Sequence, residues 1–151
     1  MKRLFDLTIA ILSLLLLFVP IIIVMIILKF TGEGEIFYLQ KRLGYLNNEF
    51  KIIKFATMVK NSPNIGTGSL TLRDDPRVLP FGKFLRKSKI NELPQIFNVI
   101  IGNMSIVGPR PQMKVDFDKF PPKKRNEIYK SKPSKQSKYA INAAFFWIFE
   151  I

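Results

Sequence analysis

Leu7 to Leu28 reads LTIAILSLLLLFVPIIIVMIIL, 22 consecutive residues without a charge. As a helix this run covers ~33 Å, enough to cross a hydrocarbon core of ~30 Å. Lys2 and Arg3 precede it and Lys29 follows. A cleaved signal peptide needs a shorter apolar region, ~7–15 residues, and a small-residue cleavage site. Here the run continues into Lys29-Phe30-Thr31-Gly32, so no cleavage is expected. Pro20 lies near its middle, where its ring removes a backbone donor and clashes with the Leu16 carbonyl, so a kink is expected. Hydropathy favours a kinked helix that spans the bilayer. Basic residues at both ends suit the other geometry, a helix that breaks at Val19-Pro20 and returns, both ends facing anionic headgroups.

Outside this run the composition turns basic. The 151 residues hold 24 Lys and Arg against 11 Asp and Glu, a net charge of +13. The absence of cysteine and histidine excludes disulfides, thiolate chemistry, Ser-His-Asp catalysis and most transition-metal sites. Acid–base or metal chemistry is left to carboxylates, Lys, Tyr and backbone groups. Net charge rises along the chain, from +2 in residues 1–30 to +5 in 31–118 and +6 in 119–151. The densest part, Lys119 to Lys138, reads as a surface for lipid headgroups, each basic side chain contributing ~1 kcal/mol near the membrane. No nucleic-acid-binding signature accompanies it, so membrane lipid and not nucleic acid is the expected partner.

Ile36 to Lys41 and Phe50 to Phe55 are rich in β-branched and aromatic residues, and Gly44 to Asn48 between them is turn-forming. This predicts a β-hairpin. Asn61 to Ser69 reads as a polar loop and Arg73-Asp74-Asp75-Pro76-Arg77 as a turn. Within Phe81 to Ile101, the spacing of Leu93, Ile96, Phe97 and Ile100 predicts an amphipathic helix. Its expected register has Asn91 as N-cap, Glu92 at the first helical position and Pro94 at the third, with Gly102 as the stop. A second short basic helix is expected over roughly Pro122 to Ser131. Short helices with a hairpin make an α+β fold, divided into a membrane segment over 1–31, a cytoplasmic domain over 32–133 and a tail over 134–151.

Three features carry candidate chemistry. Asn91-Glu92 reads either as a cap with a dipole-favoured Glu or as a Mg²⁺ site at Glu92, with substrate phosphates completing the shell. Gly108-Pro109-Arg110-Pro111 is a rigid turn presenting one guanidinium to a phosphate. Arg42, Lys54, Arg77, Arg86 and Arg110 are ordinary surface charges singly but together suit a polyanionic substrate.

Ordered blocks over residues 2–111 resemble the bacterial sugar transferases, small monotopic phosphoglycosyl transferases. They begin with Lys2-Arg3-Leu4-Phe5-Asp6, Pro20 and Gln40-Lys41-Arg42-Leu43-Gly44. Next come Phe50-Lys51-Ile52, Lys54-Phe55-Ala56-Thr57-Met58, Asp75-Pro76-Arg77 and Phe81 to Lys87. The longest is Asn91-Glu92-Leu93-Pro94-Gln95-Ile96-Phe97-Asn98-Val99 with Gly102 to Pro111. The resemblance implies a re-entrant, helix-break-helix segment at Pro20 with both ends cytoplasmic, on the cytoplasmic face of the bacterial inner membrane. It implies an enzyme that moves a phosphosugar from a nucleotide-diphosphate sugar to polyprenyl phosphate with Mg²⁺, starting surface glycan synthesis. Arg77, Arg86 and Arg110 become the expected phosphate-binding residues. In the family an Asp-Glu dyad forms a phosphosugar–enzyme and holds the metal; here the dyad positions are Asn91 and Glu92. Asn91 is a neutral amide and a far poorer nucleophile than the family's Asp. Three further departures are Asn103 for Asp, Ala56 for Arg, and Ser134 where the family has Gly after Pro133. The tail from Ser134 reads as divergent or truncated. Asn91 and the altered C-terminal segment favour the alternative of a catalytically silent protein of the same fold, whereas the intact Arg86, Glu92 and Arg110 favour transfer.

Overall fold

The apolar run and its flanks form one helix, α1, Lys2–Phe30, in a computed structural model that describes residues 1–66, 71–72, 74–122, 125 and 130–134. Helical conformation continues through Pro20, so the interruption expected at Val19-Pro20 is absent. The proline forfeits one hydrogen bond, whereas a break would strand several N–H and C=O groups at each new end. In apolar surroundings that loss is the larger. The helix is long and apolar enough to cross a membrane, and only 17% of its most apolar window is buried inside the protein. Leu15, Leu16, Phe18, Val19, Ile23 and Ile26 are all more than half exposed, so α1 is not the core helix of a soluble fold.

The expected hairpin is present: β1, Phe37–Leu43, and β2, Glu49–Phe55, pair antiparallel across a 3₁₀ turn at Tyr45–Asn47. After a further 3₁₀ turn at Ser62–Asn64 come α2, Pro80–Lys87, and a third at Ile90–Glu92. Then follow α3, Gln95–Ile101, and α4, Lys114–Phe117. With one long apolar helix and a two-stranded sheet, the fold is α+β.

The single helix expected from Asn91 is two elements in a different register. Lys89 takes a left-handed conformation (φ 61°), which ends α2 and turns the chain into the 3₁₀ turn. Asn91 lies inside that turn and caps nothing, and α3 starts only at Gln95. Pro94 immediately precedes it, where its missing N–H is one of the donors a helix leaves free anyway. The expected stop is present: Gly102, at φ +100°, follows Ile101 and donates to the Asn98 and Val99 carbonyls at 3.1 Å each.

The chain forms two compact units, each built from separate stretches. The first comprises Met1–Leu14, Gln40–Ile52 and the described residues from Gln95 onward. Its core joins Ala10, Ile52, Val99 and Met104, with Phe50, Ile96, Ile100 and Ile106 packed against them. A smaller cluster joins Leu43, Phe117 and Phe120. The second unit comprises Leu15–Leu39 and Ile53–Pro94 and buries Ile21, Val24, Leu28, Phe55, Ala56 and Leu85. Phe55 stacks on Phe37 with ring centroids 5.7 Å apart. Most of the helix expected over 122–131, and the tail beyond Ser134, lie outside the described residues.

Candidate functional site

In the second unit, residues 57–59 run antiparallel to 77–79. Val59 donates to the Arg77 carbonyl at 2.9 Å, Leu79 donates to the Thr57 carbonyl at 3.0 Å, and Met58 bridges to Val78. This pairing delivers the chain to α2. Gly82, in the first turn of α2, lies so close to Thr57 that a Cβ there would stand 2.2 Å from the Thr57 oxygen. The approach brings Arg86, one turn on, over the same segment. Its Nε donates to Thr57 Oγ1 at 3.0 Å, and Nη2 lies 3.7 Å from Met58 Sδ and 3.5 Å from Thr71 Oγ1. Nη1 donates to no protein atom among the described residues, so a half-buried cation presents two N–H groups for an anion. Burial lowers the Arg86 pKa; the like charge of Arg77 lowers it further and Asp75 opposes both.

Arg77 is placed differently from the expectation. It is buried, with Nε and Nη2 on the two Asp75 oxygens at 2.9 and 2.6 Å and Nη1 on the carbonyls of Ser62 and Ile65 at 2.8 and 2.6 Å. A guanidinium so engaged is a clamp on the 62–77 segment and is not presented to a substrate phosphate. Hydrogen bonding from Arg77 holds the Asp75 carboxyl well below the usual carboxylate range despite its burial, and the same bond raises the Arg77 pKa.

The Ile90–Glu92 turn packs on α2. Asn91 is 9% exposed, and its Oδ1 has no hydrogen-bond partner among the described residues. A buried, unpartnered amide oxygen is costly to leave unmade. Among the described residues no three His, Cys, Asp or Glu side chains gather as a metal cage. Mg²⁺ needs no such cage: it takes hard oxygens, commonly from one or two protein groups and substrate phosphates. The Asn91 oxygen and the adjacent Glu92 carboxylate fit that donor set.

The first unit carries Arg110, exposed in the Gly108-Pro109-Arg110-Pro111 loop. Residues 132–134 strap the loop on one side. Ser105 donates to the Pro133 carbonyl at 2.9 Å, Ser134 donates to the Pro109 carbonyl at 2.7 Å, and Ser134 Oγ donates to the Ile106 carbonyl at 2.7 Å. Gly108 permits this, since a Cβ there would stand 2.2 Å from the Lys132 oxygen. On the other side are Asp6 and Arg3 of α1. Asp6 Oδ1 accepts from Ser105 Oγ at 3.1 Å and the Ile106 N–H at 3.0 Å, and Arg3 donates to the Val99 and Ile100 carbonyls at 2.6 Å each. Arg42 donates to Gln40 Oε1 at 2.9 Å. Four of the expected site residues, Arg77, Arg86, Asn91 and Glu92, thus share the second unit, while Arg110 belongs to the first. The contacts of Thr57, Asp6, Ser105 and Ser134 were not foreseen from sequence. An acid immediately before the apolar run, as at Asp6, was a visible signal.

The model of a family described as bacterial sugar transferase matches residues 1–142. The exopolysaccharide production protein ExoY of Sinorhizobium fredii (strain NBRC 101917 / NGR234) is 39% identical over 133 residues, covering 79% of this chain and 59% of that protein. An undecaprenyl-phosphate glucose phosphotransferase of Komagataeibacter xylinus is 41% identical over 110 residues, covering 73% of this chain and 21% of that protein. A putative undecaprenyl-phosphate N-acetylgalactosaminyl 1-phosphate transferase of Bacillus subtilis (strain 168) is 35% identical over 127 residues, covering 84% and 68%.

Proposed function

We propose that this chain, which belongs to the bacterial sugar transferase family, moves a phosphosugar from a nucleotide-diphosphate sugar to polyprenyl phosphate, beginning a surface glycan. The carrying observation is the unpartnered Asn91 oxygen beside Glu92, on a turn packed against the helix that holds Arg86 half-buried. Arg86 grips the diphosphate through Nη1, and Arg110, within its own unit, offers a guanidinium to phosphate from its proline-bracketed loop. Glu92 and Asn91 would hold Mg²⁺. Bound there, it would supply neutralisation of the phosphate charge.

Asn91 carries no charge to drive attack at phosphorus, and this chain forms no covalent phosphosugar–enzyme. Transfer is direct. An oxygen of the lipid phosphate bonds to the sugar-bearing phosphorus, the bond to the nucleoside monophosphate breaks, and the monophosphate leaves with the electron pair. A second reading, favoured by the same Asn91, is a protein that binds donor without turnover.

The protein acts at the cytoplasmic face of the bacterial inner membrane, with α1 bent at Pro20 and re-entrant. The basic residues at both ends of α1, Lys2 and Arg3 before the apolar run and Lys29 after it, support this, since each end then faces anionic headgroups. The domain limits follow, with residues 1–31 in the membrane, 32–133 as the cytoplasmic part and 134–151 as a tail.

The test supplies purified protein in lipid nanodiscs with Mg²⁺ and labelled nucleotide sugars, with and without polyprenyl phosphate, beside Asn91→Asp. Lipid-linked product from the chain without a covalent adduct supports direct transfer. Adduct and product only from Asn91→Asp support the silent reading, and a covalent adduct on the unaltered chain refutes both.

A further inference from the structure

We propose that Asp6 is a positioning residue for Arg110, acting from the first turns of α1 through Ser105, Ile106 and the 132–134 strap. The inference rests on the phosphate-binding role given to Arg110 above. Asp6 is 4% exposed, and a buried carboxylate holds a helix to a loop no better than an apolar side chain of similar size. What it adds is direction. Its Oδ1 accepts from two consecutive residues, Ser105 Oγ and the Ile106 N–H, so the chain there has one orientation.

That orientation passes on. The Ile106 carbonyl accepts from Ser134 Oγ, and the Ser134 N–H donates to the Pro109 carbonyl, so residues 105, 106 and 109 are all tied by hydrogen bonds. Ser105 and Ser134 are 2% and 0% exposed, so water does not replace these bonds. Arg110 follows directly, with a proline on each side fixing its backbone. Little torsional freedom remains between Ile106 and Arg110 to absorb an error. Arg3, three residues before Asp6, pins the same turn of α1 to the end of α3, so Asp6 itself has a fixed seat. Misplacing a charged fork by an ångström carries a large loss of affinity or rate.

The experiment is a double-mutant cycle on the full chain in nanodiscs, reading donor binding by calorimetry against the same panel of nucleotide-diphosphate sugars. Asp6→Ala is expected to weaken binding by about tenfold. In an Arg110→Ala background, Asp6→Ala should cause no further loss, because the residue it positions is gone. Asp6→Asn keeps an accepting oxygen and should restore most of the affinity. Hydrogen exchange at the Ile106 amide should speed up in Asp6→Ala. Should that variant fail to fold, Ser105→Ala removes one donor and should give a smaller loss, again absent without Arg110. Equal losses with and without Arg110, or unchanged Ile106 exchange in Asp6→Ala, overturn the proposal. A wild-type chain that binds no donor overturns the phosphate reading on which it rests.

Discussion

Gly82→Ala sets helix propensity against tertiary packing. Within α2, alanine is favoured over glycine by ~1 kcal/mol, so propensity alone forecasts a more stable protein. The added Cβ, however, would stand 2.2 Å from the Thr57 carbonyl oxygen, 2.9 Å from its carbon and 3.0 Å from its Cα. All three neighbours are backbone, so no side-chain rotation relieves the clash, and α2 must part from the Thr57 segment by about an ångström to reach ordinary contact. Overpacking of this kind costs ~1–3 kcal/mol. The same oxygen accepts the Leu79 N–H at 3.0 Å, a bond worth ~1 kcal/mol that the displacement breaks. Subtracting the propensity gain leaves a net loss of about 1–3 kcal/mol, a fall in melting temperature of about 3–10 °C for a chain of this size. Scanning calorimetry in nanodiscs measures it, with Lys83→Ala on the exposed face of α2 as the control expected to melt like wild type. Because Arg86 Nε hangs on Thr57 Oγ1, donor affinity should fall together with stability. An unchanged or raised melting temperature in Gly82→Ala would refute the close-approach argument.

The depressed Asp75 pKa makes stability depend on acid. Its contribution is complete above the ordinary Asp value of 3.8 and is lost as pH falls below it toward the folded value, so Asp75→Asn should flatten the decline in melting temperature below pH 4. A decline of the same steepness in both proteins would count against the Arg77 clamp. Lys89, at φ 61°, pays a left-handed penalty that glycine avoids, so Lys89→Gly should raise stability by about 1 kcal/mol in the same calorimetric assay. The chain has no cysteine, so Lys2→Cys and Phe30→Cys each give one thiol, and a membrane-impermeant maleimide should label both from the cytoplasmic side. Labelling from opposite sides would refute the re-entrant arrangement.

What the sequence determined by itself is local or additive. A 22-residue charge-free run declares its helix because length and hydropathy sum along the chain. The hairpin follows from two β-rich stretches around a turn, and the Gly102 stop from a conformation that glycine adopts freely. The motif blocks named the family for the same reason, being order and spacing along one chain. Tertiary structure decided what depends on partners distant in sequence. The register at Asn91 was misread because Lys89 turns left-handed, a conformation no local propensity announces for lysine. Arg77 reads on paper as one more cation for a polyanion, and burial against Asp75 and two carbonyls makes it a clamp. Arg86 is the same residue type with the opposite outcome, its Nε held by Thr57 Oγ1 and its Nη1 donating to no protein atom among the described residues. Asp6 meets Ser105 across 99 residues, and Gly108 meets Lys132 across 24. Such contacts are set by how separated segments pack, and a charge pattern fixes the number of cations without fixing which of them face the substrate.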